Sequence, residues 1–176
     1  MIKKVAVFGQ TYSVNAEKEI SILLTALEKH NVVVFFEENF YKVIKGLGHL
    51  TKRYPTFASF HDLNSSFDLF FSLGGDGTIL RAITYIRDLN IPILGINTGR
   101  LGFLANIQKN AIQESIDLLI AKKYTIQERT LLSIRTTPAV DSFGELSFAL
   151  NEITIARENT TSMIGVKTFL DKEYLT

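Results

Sequence analysis

Four short apolar runs, Ile2 to Phe8, Val32 to Phe36, Phe67 to Leu73 and Pro92 to Ile96, punctuate the first hundred residues of the chain. Between and after them the apolar residues recur at helical spacing: Ile20, Leu23, Leu24 and Leu27 within Asn15 to His30, then Ile79, Leu80, Ile83, Ile86 and Leu89 up to about Asn90, then Ile112 to Ala121. A strand without polar alternation is buried on both faces, and helices between strands supply the cover, so the pattern demands an α/β fold with a parallel sheet. Asn39 to Tyr54 reads ambiguously, as a helix broken near Gly46 and Gly48 that ends before Pro55. Near Tyr124 the character changes to strands and turns: Tyr124 to Gln127, Leu131 to Thr136, Leu146 to Ala156 and Ser162 to Leu170. The expected organisation is a parallel, doubly wound α/β domain over 1–123, followed by an incomplete all-β domain over 124–176.

Bulk properties narrow the function classes. With 46% apolar and 21% charged residues the chain is of ordinary globular composition. A net charge of +1 gives no field that would recruit nucleic acid or a membrane surface, so neither is expected as a partner. The absence of cysteine excludes disulfides, thiolate zinc sites and a cysteine nucleophile, and it suits a cytoplasmic setting. The N-terminal apolar run is too short for a signal peptide, and the longest uninterrupted apolar run, Val32 to Phe36, is far short of a membrane span.

The chemistry concentrates in Gly74-Gly75-Asp76-Gly77-Thr78, where an apolar strand gives way to a helical pattern. A strand that turns through glycines into a helix presents backbone N–H groups and the positive end of the helix dipole, both of which attract phosphate. A carboxylate inside such a turn repels phosphate, so a pure phosphate cradle gains nothing from Asp76. A site that takes a proton from a hydroxyl beside a phosphate needs one, and the combination points to phosphoryl transfer. The plainer reading stands beside it: Asp76 or Thr78 is a common N-cap. Three glycines exceed what a cap needs, since each costs roughly 0.5–1 kcal/mol relative to alanine.

A second glycine turn, Asn97-Thr98-Gly99-Arg100-Leu101-Gly102-Phe103, follows the next strand. Leu73 and Ile96 end consecutive strands of one βαβ unit, so both loops open at the carboxyl edge of the sheet, where ligands bind. A compact turn would also use Gly99 and Gly102. The chain lacks the Gly-Lys-Ser/Thr of a P-loop, has Leu80 where a dinucleotide fingerprint needs its third glycine, and lacks the protein-kinase signatures. Arg81, one turn into the helix, leans back toward an anion at the helix start or stands solvated. His30, His49 and His61 lack metal-ligand spacing and read as surface or capping residues.

These residues, with Leu104-Ala105 and then Leu150-Asn151-Glu152-Ile153, resemble the NAD kinase family in order and spacing over the whole chain. The glycine turn around Asp76 is shared with diacylglycerol-type lipid kinases and is similar to a phosphofructokinase motif. Lipid kinases follow that turn directly with Asn-Glu, whereas Ile79-Leu80-Arg81 stands here. The resemblance implies transfer of a phosphoryl group from ATP to the adenosine 2′-hydroxyl of NAD, giving NADP. It makes Asp76 the proton acceptor, places Gly74, Gly75, Gly77 and Thr78 at the ATP phosphates, and sets Asp76, Gly77, Arg81, Phe103, Asn151 and Glu152 around NAD. It brings Mg²⁺ or another divalent cation as cofactor, to screen Asp76 from the triphosphate, and a homo-oligomeric (dimer or tetramer) full-length enzyme. It also implies further chain, with a Gly-Asp-Gly and a Thr-Pro-Thr-Gly-Ser-Thr-Ala-Tyr segment that do not occur before Thr176. Strands missing those partners keep open edges. The 176 residues alone are therefore expected to bind nucleotide weakly and turn over poorly. A lipid kinase and a non-catalytic nucleotide-binding fragment are the alternatives.

Overall fold

The computed structural model describes residues 2–10, 17–48, 50, 52–99, 102–139, 143–159, 161 and 163–176. It divides into two compact units, Met1–Glu128 and Arg129–Thr176.

The first unit is built on six parallel strands: β1 (Lys4–Gly9), β2 (Val33–Glu37), β3 (Thr56–Phe57), β4 (Leu69–Leu73), β5 (Ile93–Asn97) and β6 (Ile107–Gln108). They lie side by side in the order β3-β2-β1-β4-β5-β6. β1 is central: Val5 pairs with Val34 on one side and with Leu69 on the other. The chain thus winds outward from β1 in two directions, which is the doubly wound arrangement.

Among the described residues four α-helices accompany the sheet. α1 (Glu17–Lys29) opens on Glu17 and Glu19 and closes on Lys29, so its charges complement the helix dipole. It buries Ile20, Leu23, Leu24 and Leu27. α2 (Glu38–Gly46) starts where the Glu37 carboxylate accepts from the Phe40 N–H at 2.8 Å, and it stops at Gly46, so the ambiguous stretch is helical only in its first half. α3 (Asp76–Ile86) follows β4, and α4 (Ile112–Ile120) follows β6.

Alternate sheet residues feed two cores. Val5, Val7, Val34, Phe36, Leu69, Phe71 and Ile96 pack with α1, α2 and α4 on one face. Ala6, Phe8 and Phe70 pack with Phe57, Leu63, Ala82 and Ile86 on the other, where α3 lies. Phe36, Phe57, Phe70 and Phe71 are fully buried, and each contributes about 1.5–3 kcal/mol by leaving water. That is several times the cost of a glycine, so the sheet tolerates a glycine-rich turn at its rim.

In the second unit β7 (Leu132–Ser133) pairs antiparallel with β8 (Phe148–Ala149). β9 (Phe169–Leu170) and β10 (Glu173–Tyr174) form a hairpin. Its two turn residues, Asp171 (φ 50°) and Lys172 (φ 74°), are both left-handed, as a two-residue hairpin turn requires. The strands are shorter than the sequence pattern suggests, and Tyr124 to Gln127, expected as a strand, has no strand assignment and is exposed.

Candidate active site

The glycine turn leaves the sheet at the point where the strand order reverses. β1 feeds β2 on one side, β4 feeds β5 on the other, and the crevice between their carboxyl ends is where ligands bind in open α/β sheets. Gly74 holds φ 153°, and a Cβ there would run into the Thr78 hydroxyl and lie 2.9 Å from the Thr78 Cβ, so only glycine fits. Its N–H donates to the Ile96 carbonyl at 3.0 Å, tying the turn to the end of β5. By contrast, a Cβ on Gly75 or Gly77 would meet nothing within 4 Å. Gly75 is the N-cap of α3, and Asp76 is the first helical residue, so neither Asp76 nor Thr78 occupies the cap itself. Thr78 is buried in the first turn, with its N–H on the Gly75 carbonyl at 3.0 Å.

The Asp76 carboxylate reaches across to the second glycine loop. Its Oδ2 accepts from the Phe103 N–H at 2.7 Å, and its Oδ1 accepts from Leu104 and Ala105 at 2.9 and 3.1 Å. Three donors on one ionised group are charge-assisted bonds, stronger than their neutral counterparts. Gly102 makes the approach possible: a Cβ there would overlap Oδ1 and lie 2.5 Å from both Cγ and Oδ2 of Asp76. Below this contact, the buried Ala105 sits so close to Gly95 of β5 that a Cβ on Gly95 would lie 2.8 Å from the Ala105 Cα. At the start of the loop the buried Asn97 accepts from the Gly99 N–H at 2.8 Å through its side chain, shaping the turn.

The remaining candidates distribute as follows. Arg81 is exposed on α3 and lies close enough to Tyr85 to oppose the upward push that burial and Glu37 give the Tyr85 hydroxyl. Phe103 projects its ring into solvent and is 92% exposed. Gly74, Gly75, Asp76, Gly77, Thr78 and Phe103 come together in one place. Asn151 and Glu152 lie in the second unit and are exposed. Arg100, Leu101 and His49 fall outside the described residues. His30 has its Nε2 3.9 Å from Asp117, and His61 stacks edge-on against Phe60, so both have structural neighbours. Among the described residues no three His, Asp or Glu side chains group to hold a metal, and no helix is long and apolar enough to cross a membrane. Sequence reasoning missed the backbone donors of 103–105, which carry no side-chain signature.

Comparison with known proteins places the chain in a family. Residues 5–124 match the family described as ATP-NAD kinase N-terminal domain. The NAD kinase of Christiangramia forsetii is 49% identical over 173 residues, covering 98% of this chain and 59% of its own length. That of Flavobacterium psychrophilum is 45% identical over 172 residues, covering 98% and 58%. The chain therefore spans somewhat under two thirds of the curated relatives it matches. In fold, it is similar to an Archaeoglobus fulgidus NAD kinase solved in complex with ATP (TM-score 0.64, 23% identity, 98% of this chain and 56% of that one). It is also similar to yeast NADH kinase complexed with NADH (TM-score 0.59, 19% identity, 75% and 42%). With more than half its length matched by the family's N-terminal domain, this chain belongs to the NAD kinase family.

Proposed function

We propose that the chain supplies the phosphoryl-transfer half of an NAD kinase that uses ATP to phosphorylate the adenosine 2′-hydroxyl of NAD. The observation that carries this reading is the pair of open glycines flanking Asp76. The fold needs a glycine at position 74, but nothing in the described structure crowds positions 75 and 77. Glycine there answers to something that is not protein, and a phosphate chain lying on the N–H groups at the start of α3 fits. The relatives' names support NAD as acceptor over a lipid. The ATP and NADH in the two structural neighbours fit the same donor and acceptor classes.

In this mechanism the 2′-hydroxyl oxygen forms a bond to the γ-phosphorus while the bond to the bridging oxygen of ADP breaks, and the hydroxyl proton passes to the Asp76 carboxylate. Little covalent chemistry falls to the protein, whose contribution is positioning and charge. Gly74, Gly75, Gly77 and Thr78 line the ATP phosphates, with the backbone approach at Gly75 and Gly77, because the Gly74 and Thr78 N–H groups already donate to the Ile96 and Gly75 carbonyls. Arg81 offers a guanidinium one turn above, Phe103 an exposed aromatic face for the adenosine, and Asn151 and Glu152 hydrogen bonds to NAD. On the expected domain division, residues 1–123 carry both glycine loops, with Asp76, Gly77, Arg81 and Phe103, and 124–176 carry Asn151 and Glu152. Residues suited to a divalent cation are few. Asp76 is the one carboxylate at the turn and already accepts three N–H groups, which fits a cation carried in by the triphosphate and its waters rather than a protein cage. Such an ion would neutralise charge on the phosphates. The setting that goes with this reading is a cytoplasmic homo-oligomer.

Formation of NADP from NAD and Mg-ATP, with Asp76→Asn as control, tests the reading. Turnover that falls by about 100-fold or more in the variant supports a proton acceptor. Binding of NAD without turnover in the parent protein, and in a longer product of the same gene, would leave a nucleotide-binding module instead.

A further inference from the structure

We propose that Gly102 is a positioning residue for Asp76, leaving room for the peptide N–H groups of Phe103, Leu104 and Ala105 to close over the carboxylate and fix its direction. The inference rests on the kinase reading for its catalytic meaning, and on geometry alone for its physical content. The bonds run to both oxygens, one to Oδ2 and two to Oδ1, so the plane of the carboxylate is set and not merely its position. The donors belong to three successive peptides of a segment anchored below by Ala105 against Gly95. Any side chain at 102 would push the carboxylate out of this position, because its Cβ would overlap the carboxylate itself.

A second consequence follows from Phe103. Its N–H binds Asp76 while its ring stands 92% exposed, so one residue touches the proposed acceptor through its backbone and presents an aromatic face on its side chain. An adenine stacked on that ring and the carboxylate that takes the proton are then held by a single peptide unit. Asp76 and Phe103 form one assembly, and Gly102 is its hinge of closest approach.

Amide hydrogen exchange and ¹⁵N NMR of the 176-residue protein read this without requiring turnover. Asp76→Asn keeps the shape but has one acceptor oxygen in place of two, so at most the bonds to one side survive. At least one of the 103–105 amides should then exchange about tenfold faster or more, while amides of α1 and β1 keep their rates. Gly102→Ala should speed all three. Gly99→Ala, where a Cβ meets nothing within 4 Å, should speed none of them. In the parent protein the three amide protons should shift together on acidification, and in Asp76→Asn they should not. Amides at 103–105 that ignore both Asp76→Asn and Gly102→Ala would overturn the proposal. If Gly102→Ala does not fold, Asp76→Asn and the acid titration decide alone. Failure here leaves the kinase reading standing, since NADP formation tests that separately; success here with no NADP formed would keep the assembly and remove its catalytic meaning.

Discussion

Replacing the glycines of the turn with alanine one at a time separates what the fold requires from what a ligand requires. At Gly74 two penalties act together. The backbone sits at φ 153°, where holding a residue with a Cβ costs about 1–3 kcal/mol, and the overlap with Thr78 adds about 1–3 kcal/mol of overpacking. A net loss of about 3 kcal/mol lowers the melting temperature by about 10 °C for a chain of this size. Gly77 is different. It lies inside α3 with open space around its Cα, so alanine there removes the backbone-entropy cost of glycine and stabilises by about 0.5–1 kcal/mol. Gly75→Ala, at the cap, should change stability by less than about 1 kcal/mol. ATP affinity should follow another order, falling about tenfold or more for Gly75→Ala and Gly77→Ala because the new methyl group stands where phosphate approaches the backbone. Thermal unfolding and ATP titration of the same three variants give both readings. A Gly77→Ala protein that melts higher and binds ATP undiminished would refute the reasoning, as would one destabilised like Gly74→Ala.

Two further expectations concern single side chains. Phe103→Ala should leave the melting temperature within about 1–2 °C of the parent, since an exposed ring contributes little to stability. It should nonetheless weaken NAD binding by about 10-fold, the worth of one lost base stack, as read by calorimetry or by KM. The pH dependence of stability should carry the mark of the Glu28–Lys52–Tyr54 group. Glu28 accepts from Lys52 at 2.7 Å and from the Tyr54 hydroxyl at 2.6 Å, and these bonds hold its carboxyl below the ordinary 4.5. The stability they contribute is complete above 4.5 and is lost as pH falls through the depressed folded value, so Glu28→Gln should flatten part of the acid limb. The pair is largely solvent-screened and the effect is under about 1 kcal/mol. At the other end, burial and Glu28 raise the Tyr54 hydroxyl well above 10.0, so its contribution is complete below 10.0 and lost as pH rises beyond it. Melting curves of Glu28→Gln and Tyr54→Phe across the two limbs check both signs.

Much of the sheet is legible in the chain because its strands are apolar on both faces. Phe67 to Leu73 reads as a buried strand whatever surrounds it, and Leu69 to Leu73 is one. Thr56–Phe57 and Ile107–Gln108 left no such trace, since a two-residue edge strand contributes two paired positions and no run of pattern. Phe57 is buried, but its partners Phe70 and Tyr85 come from other elements, so its burial is a tertiary fact. The same holds at the site. Asp76 stands out by its neighbours in sequence, whereas the groups that bind it are main-chain amides that every residue carries. Gly102 reads as a turn glycine, and its reason for being glycine lies under it, 26 positions back in the chain at Asp76. Asn151 and Glu152 have no local signature at all and come from family resemblance alone.

The central place of β1 has a consequence for how the molecule assembles. β1 is the strand on which both halves of the sheet must zip, yet its second neighbour, β4, follows it by some sixty residues: the Lys3 and Lys4 N–H groups donate to the Asp68 carboxylate across 65 and 64 positions. Without β4, β1 has no partner on that edge and Phe8 lacks the Phe70 ring, whose centroid lies 6.4 Å from its own. Closing such long loops before any contact repays them makes parallel sheets slow to form. The pairing of β1 with β4 is thus the step that joins the two halves of the sheet, and the residues that pack there, Phe70 and Phe71, lie on the strand that runs into the glycine turn.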